Sequence, residues 1–165
     1  MKKIIFFLVI LIIIGCNPKK TTAQNQQNDS LPKIESIITD FEGILSPNEE
    51  AKLTHMIVDF EKETSVEIVI VTIKSIKPYD DIFDYSLDLA NKTGVGKKDK
   101  SNGIMIVVSN SLRKIQIQNG DGIVPIISNE KTKEIVGQIM IPEFKEGHHF
   151  KGLEKGINKI MELLR

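Results

Sequence analysis

The sequence predicts an α/β domain in which a small mixed sheet lies between helical layers. Three observations lead there. Val66 to Ile73 (VEIVIVTI) and Ile104 to Val108 (IMIVV) are short, β-branched and almost wholly apolar, as strands covered on both faces must be. A helical pattern separates the two runs, and a crossover through a helix joins strands in parallel. Lys114 to Gln118 then alternates Ile115 and Ile117 with polar neighbours after the brief turn Ser109-Asn110-Ser111. That pattern adds a half-exposed antiparallel strand toward a sheet edge.

Each helix carries its own start signal. Ser46-Pro47-Asn48-Glu49 supplies a capping serine, a proline suited to the first helical position and a glutamate that completes a capping box. Leu53, Met56, Ile57 and Phe60 then share one face, and the helix is expected to run to about Glu63. Asp80 and Asp81 open a second helix, where negative charge favours the dipole, and Ile82, Phe83, Leu87 and Ala90 form its inward face. Ser128 caps a third helix with Ile135, Val136 and Ile139 inward, and Pro142 is expected to follow its end. A last helix from about Phe150 carries Leu153, Ile157, Ile160 and Leu164 on one stripe. The predicted order is helix, strand, helix, strand, strand, helix, helix.

Composition narrows the function. The 165 residues suffice for one ordinary domain, and 22 basic residues balance 22 acidic ones. A chain without net charge gives no electrostatic reason to expect nucleic acid, and the absence of Trp argues against a base-stacking platform. No Gly-x-Ser-x-Gly elbow occurs. His148 and His149 are adjacent and lack zinc-ligand spacing, so they are expected at the surface, as is His55. Lys97-Lys98-Asp99-Lys100 reads as solvated loop charge, and Gly94-Val95-Gly96 follows a helix, unlike a phosphate-binding fingerprint.

The first residues point to the cell envelope. Met1-Lys2-Lys3 is a basic start, Ile4 to Ile14 an unbroken apolar run too short to span a bilayer comfortably, and Gly15-Cys16 its close. Ile13-Ile14-Gly15-Cys16 resembles a bacterial lipobox, which implies cleavage before Cys16 and acylation of its thiol; Cys16 is the single cysteine of the chain. The expected organisation is a lipoprotein signal peptide over 1–15, a flexible polar tether over 16–30 and one domain over 31–165. The protein is then expected as a lipid-anchored membrane protein facing the periplasm or exterior of a bacterium.

Asn119-Gly120-Asp121-Gly122 raises a sharper question. Asn-Gly and Asp-Gly pairs are common turn formers, so composition alone makes this a turn. Yet if strands 104–108 and 114–118 form a hairpin, position 103 lies opposite position 119. Asp99, Ser101, Asn102 and Gly103 are thereby brought near Gly120, Asp121 and Gly122 at one sheet edge. Carboxylate, amide and backbone oxygens gathered there would suit a hard cation such as Ca2+, bound weakly because carboxylates are few.

Several segments, in order, resemble the TPM-domain family, which includes thylakoid-lumen proteins linked to photosystem II repair and bacterial envelope proteins. Asp40-Phe41-Glu42-Gly43-Ile44-Leu45-Ser46 is similar to the family's opening, and Gly94-Val95-Gly96-Lys97-Lys98 with Asn102-Gly103-Ile104 to its middle. Gly120-Asp121-Gly122 falls where the family has Gly-Tyr-Gly, and Pro142 to Gly147 with Gly152-Leu153 is similar to its close. The resemblance covers about residues 36 to 164. It implies a three-layer α/β/α sandwich, calcium binding with Asp40 as a further ligand, and for some members acid phosphatase activity. Val124 and Asn129 stand where the family carries acidic residues, and Thr93 where it often carries Trp. The leading functional expectation is a non-catalytic module that serves an envelope or periplasmic protein. The alternative is a metal-assisted acid phosphatase.

Overall fold

A computed structural model describes residues 30–96 and 99–165. The signal segment, Cys16, the tether up to residue 29, and Lys97 and Lys98 lie outside the described residues.

Four strands form one sheet in the order β1 (Ile38–Asp40), β2 (Glu67–Thr72), β3 (Gly103–Ser109) and β4 (Lys114–Asn119). The first three run parallel and β4 runs antiparallel to β3, with Ile106 opposite Ile117. The sheet is therefore mixed, as the two long crossovers and the one short turn require. The crossovers contain α1 (Pro47–Thr64) and α2 (Ile82–Thr93). After β4 come α3 (Asn129–Glu134), a π-helical turn (Ile135–Met140), α4 (Ile141–Lys145) and α5 (His149–Leu164).

Period-two alternation sorts the sheet into two cores. Ile68, Ile70, Ile104, Ile106, Val108 and Ile117 face a layer built from α1, the π-helical turn and α5. Val71, Met105 and Val107 face the opposite way, onto Tyr79, Ile82, Tyr85 and Leu89 of α2 and the segment before it. All seven residues of β3 are buried, which is why its sequence alternates nothing and reads as a continuous apolar run. Leu31 is buried in the second core, and its carbonyl accepts from Lys92 Nζ at 2.9 Å.

The helix starts follow local chemistry. Ser46 Oγ accepts from the Glu49 amide while Glu49 Oε2 accepts from the Ser46 amide at 2.7 Å, a closed capping box that lowers the Glu49 pKa from its ordinary value. Asp81 caps α2 through the Phe83 amide at 2.8 Å, and Gly94 ends it in the left-handed region at φ 71°.

Three features differ from expectation. Phe83 and Leu87, expected inward on α2, are exposed, and the buried face is formed by Ile82, Tyr85, Ser86 and Leu89. β1 is a strand of three residues, too short to leave a periodic signal. Pro142 does not follow a helix end. It lies at the start of α4, and the helical path runs through it after the π-helical turn, where the Ile141 amide already bonds back to Val136. Proline's missing donor and its ring are tolerated at that point because the regular ladder has been offset by one residue. Glu143 on α4 then ties this segment to α5. Lys155 and Lys151 reach its carboxylate at 2.6 and 3.2 Å and hold its pKa down at about 2.

Candidate functional site

The hairpin argument places loop 99–103 beside loop 119–122, and the chain does bring them together. The Gly120 amide donates to the Gly103 carbonyl at 2.8 Å, and the Gly122 amide to the Ser101 carbonyl at 3.0 Å. The contact is closer than ordinary strand pairing. A Cβ on Gly120 would stand 2.1 Å from the Ser101 oxygen, and one on Gly122 2.2 Å from the Lys100 oxygen. Gly103 and Gly96 are pressed together in the same way: a Cβ on Gly103 would stand 2.1 Å from the Val95 oxygen. Four glycines thus let three backbone segments touch with no side chain between them.

Side chains around this junction hold it from the β2 side. Glu67 Oε2 accepts from the Gly96 amide at 2.8 Å. Asn102 is buried and donates through Nδ2 to the carbonyl of Ser65, the residue that ends α1 in the left-handed region. Asn102 is thus a fold-forming residue, with its amide aimed at α1 and β2. Sequence reasoning missed Ser65 and Glu67 in this role, and neither carries a motif that could have found them.

Asp40 is elsewhere. It pairs in register with Thr72, which pairs with Val108, so it lies at the ends of the parallel strands, whereas Gly103 begins β3. Five residues of extended chain separate the two edges, roughly 17 Å. The expectation that Asp40 joins Asp99, Asn102 and Asp121 in one ligand set is corrected by this topology: three parallel strands put β1's last residue at the edge opposite β3's first. At its own edge Asp40 accepts from the amides of Gly43 at 3.0 Å and Leu45 at 2.8 Å and from the Thr72 hydroxyl. Thr72 Oγ1 in turn accepts from the Glu42 amide at 3.0 Å. The Glu42 carboxylate reaches across to the β3–β4 turn, accepting from the amides of Asn110 and Ser111 and from the Ser111 hydroxyl at 2.6 Å. Asp40-Phe41-Glu42-Gly43 therefore works as a clasp that joins β1 to β2 and to the hairpin.

A family model described as the TPM domain matches residues 38–163. The chain belongs to the TPM-domain family. The clasp opens the matched region, and the glycine junction lies in its middle. Among solved structures, the TPM domain here is similar to the N-terminal domain of a protein from P. gingivalis (27% identity, TM-score 0.71, covering 78% of this chain and 81% of that one). It is also similar to the BA42 protein of the psychrophilic bacterium Bizionia argentinensis (27% identity, TM-score 0.65, covering 75% and 83%). The N-terminal domain of cg2496 from Corynebacterium glutamicum shares the fold at 13% identity (TM-score 0.62, covering 82% and 85%). No functionally curated protein matches the chain.

Part of the donor set expected from sequence for a calcium site is engaged in hydrogen bonds within this TPM domain. Among the described residues no group of three or more His, Cys, Asp or Glu side chains is placed to hold a metal ion. The Ser101 and Gly103 carbonyls each accept a loop amide, and the Asn102 amide bonds Ser65. Asp99 and Asp121 remain as exposed carboxylates at the junction's rim.

Two outcomes follow from these contacts. Gly120→Ala should destabilise the domain by about 2 kcal/mol, because the new methyl meets backbone that cannot move aside. Gly137→Ala, where a Cβ meets nothing within 4 Å, should be neutral or raise stability by about 0.5 kcal/mol. Urea unfolding of both variants checks the contrast, and equal losses would contradict it. Asn102→Asp should cost about 2 kcal/mol by turning a carboxylate toward the Ser65 carbonyl. Millimolar calcium should not restore the loss in a thermal melt. Calcium rescue would make residue 102 a metal ligand and contradict its role in holding α1 to β3.

Proposed function

We propose that this TPM domain is a lipid-anchored, extracytoplasmic module that assists an envelope protein or complex and catalyses no reaction itself. One observation carries the reading. The polar side chains that sequence motifs offered as a site, Asp40 at one edge and Asn102 at the other, are engaged in bonds that build the fold. The glycines between Asp99 and Asp121 likewise serve backbone packing. What the domain offers a partner is then its shaped surface. Its delivery to the envelope follows from the basic start, the apolar run and the lipobox-like ending at Cys16. A polar tether over 16–30 would let the domain reach a neighbour on the same membrane. Calcium enters as no more than a weak, exposed ligand of Asp99 and Asp121.

The competing reading is a metal-assisted acid phosphatase at the Asp99/Asn102/Asp121 edge. It needs a general base or nucleophile aimed at a bound metal. The amide and carbonyls gathered at that edge make intradomain hydrogen bonds instead.

Cys16→Ser is expected to abolish lipid attachment and leave an uncleaved precursor or a released soluble species in cell fractionation. Pull-down of the wild-type chain from solubilised envelopes should recover the same protein in repeated preparations. A Cys16→Ser chain that is still processed and still sediments with membranes would refute the anchor. Failure to recover any reproducible partner would refute the accessory role.

A further inference from the structure

We propose that the open end of the β4 edge, with the groove beside it, receives an extended peptide segment of a partner protein whose side chains alternate between apolar and acidic. This deepens the accessory reading and rests on it, since it names the surface through which such a module would act.

The edge comes first. β4 is the last strand of the sheet. Gly120 donating to Gly103 and Gly122 to Ser101 set the phase of the antiparallel ladder. In that phase Lys114, Gln116 and Gln118 turn their backbone groups toward β3, while Ile115, Ile117 and Asn119 turn theirs outward. The far part of the edge is blunted. The Ile117 carbonyl accepts from the Gln116 side chain at 3.0 Å, and the Asn119 side chain bonds the Ile127 carbonyl and the Thr132 hydroxyl. Ile117 is only 4% exposed. Ile115 is half-buried and carries no such cover, so the open stretch is Arg113 to Gln116.

Beside that stretch lies a groove of about 630 Å3 between β4 and α4. Ile115, Ile141 and Phe144 give it an apolar floor, and Arg113, Lys114 and Lys145 line it with positive charge. No carboxylate among the described residues lines it. None of the three cations makes an ion pair with a described residue, whereas their neighbours Lys151 and Lys155 are both held by Glu143. A chain with no net charge thus leaves unneutralised positive charge around an apolar trough.

Strand addition uses such a surface. Backbone groups of Ile115 would pair with the peptide, alternate apolar side chains would enter the groove, and acidic ones would meet the rim. The chain's own residues 17–30 do not match, having Lys19 and Lys20 and no large apolar side chain. A flat anionic bilayer matches poorly too, because Ile115, Ile141 and Phe144 are half-buried while the cations beside them are exposed.

Fluorescence anisotropy of a labelled synthetic peptide of alternating Val and Glu, titrated with the full chain in nonionic detergent, tests the site. Binding is expected, with hydrogen-exchange protection confined to the peptic fragments covering 113–117 and 141–147. Charge reversal by Arg113→Glu with Lys145→Glu, both at exposed positions, should weaken binding by about tenfold or more. Replacing Glu by Lys in the peptide should do the same without any change to the protein. Equal binding of the Val–Lys peptide, protection elsewhere, no binding at millimolar peptide, or a second copy of the chain filling the groove would each overturn the proposal. Pull-down separates this failure from that of the parent reading. A partner retained by the charge-reversed chain removes the groove and leaves the accessory role standing. Peptide binding without any recovered partner does the reverse.

Discussion

Backbone meets backbone at Gly96, Gly103, Gly120 and Gly122, and the rest of the sheet depends on that contact. Gly103 begins β3, the strand buried on both faces. Gly96 and the Val95 carbonyl close the α2–β3 loop onto it, and Gly120 and Gly122 close the end of β4 onto the same point. A slip of one residue in the hairpin would exchange the faces of Ile115 and Ile117, taking them from the α1/α5 core to the α2 side. The junction opposes that slip by sterics, since only glycines placed at these four positions allow the approach.

The two ends of the sheet are held by different physics. At the start of β3 the binding groups are amides and carbonyls packed at van der Waals contact. At the ends of β1, β2 and β3 the same task falls to carboxylates: Asp40 gathers Gly43, Leu45 and Thr72, and Glu42 gathers the turn at Asn110 and Ser111. Acidic residues in a family motif commonly invite a catalytic or metal-binding reading. Here they terminate strands and orient the loop into α1. That assignment leaves the first half of β4 as a stretch of sheet edge with neither strand partner nor side-chain cover among the described residues.

Much of this was legible in the sequence, for physical reasons that differ by element. α1 announced itself through Ser46, Pro47 and Glu49, three signals that act within one turn. β2 and β3 were legible because burial on both faces removes polar residues from the run, and the hairpin because Ser109 to Arg113 is too short for any other connection. β1 was not, because three residues leave no period. Asp40's place was not, because a lone residue carries no information about which sheet edge it ends at until strand directions are known. The π-helical turn leaves no trace in the sequence, so Pro142 reads as a stop. Gly120 and Gly122 read as turn formers, yet the backbone they admit, at Ser101 and Lys100, lies 19 and 22 positions away, beyond the reach of local pattern.

Native-state hydrogen exchange at the Gly120 and Gly122 amides tests the central claim most directly. Both donate to backbone carbonyls inside the junction. If that junction fixes the sheet, they exchange only with global unfolding, at the same opening free energy as the buried amides of β3, although they sit in a polar glycine turn. Exchange at the rate of an open surface loop, while β3 stays protected, would contradict the account.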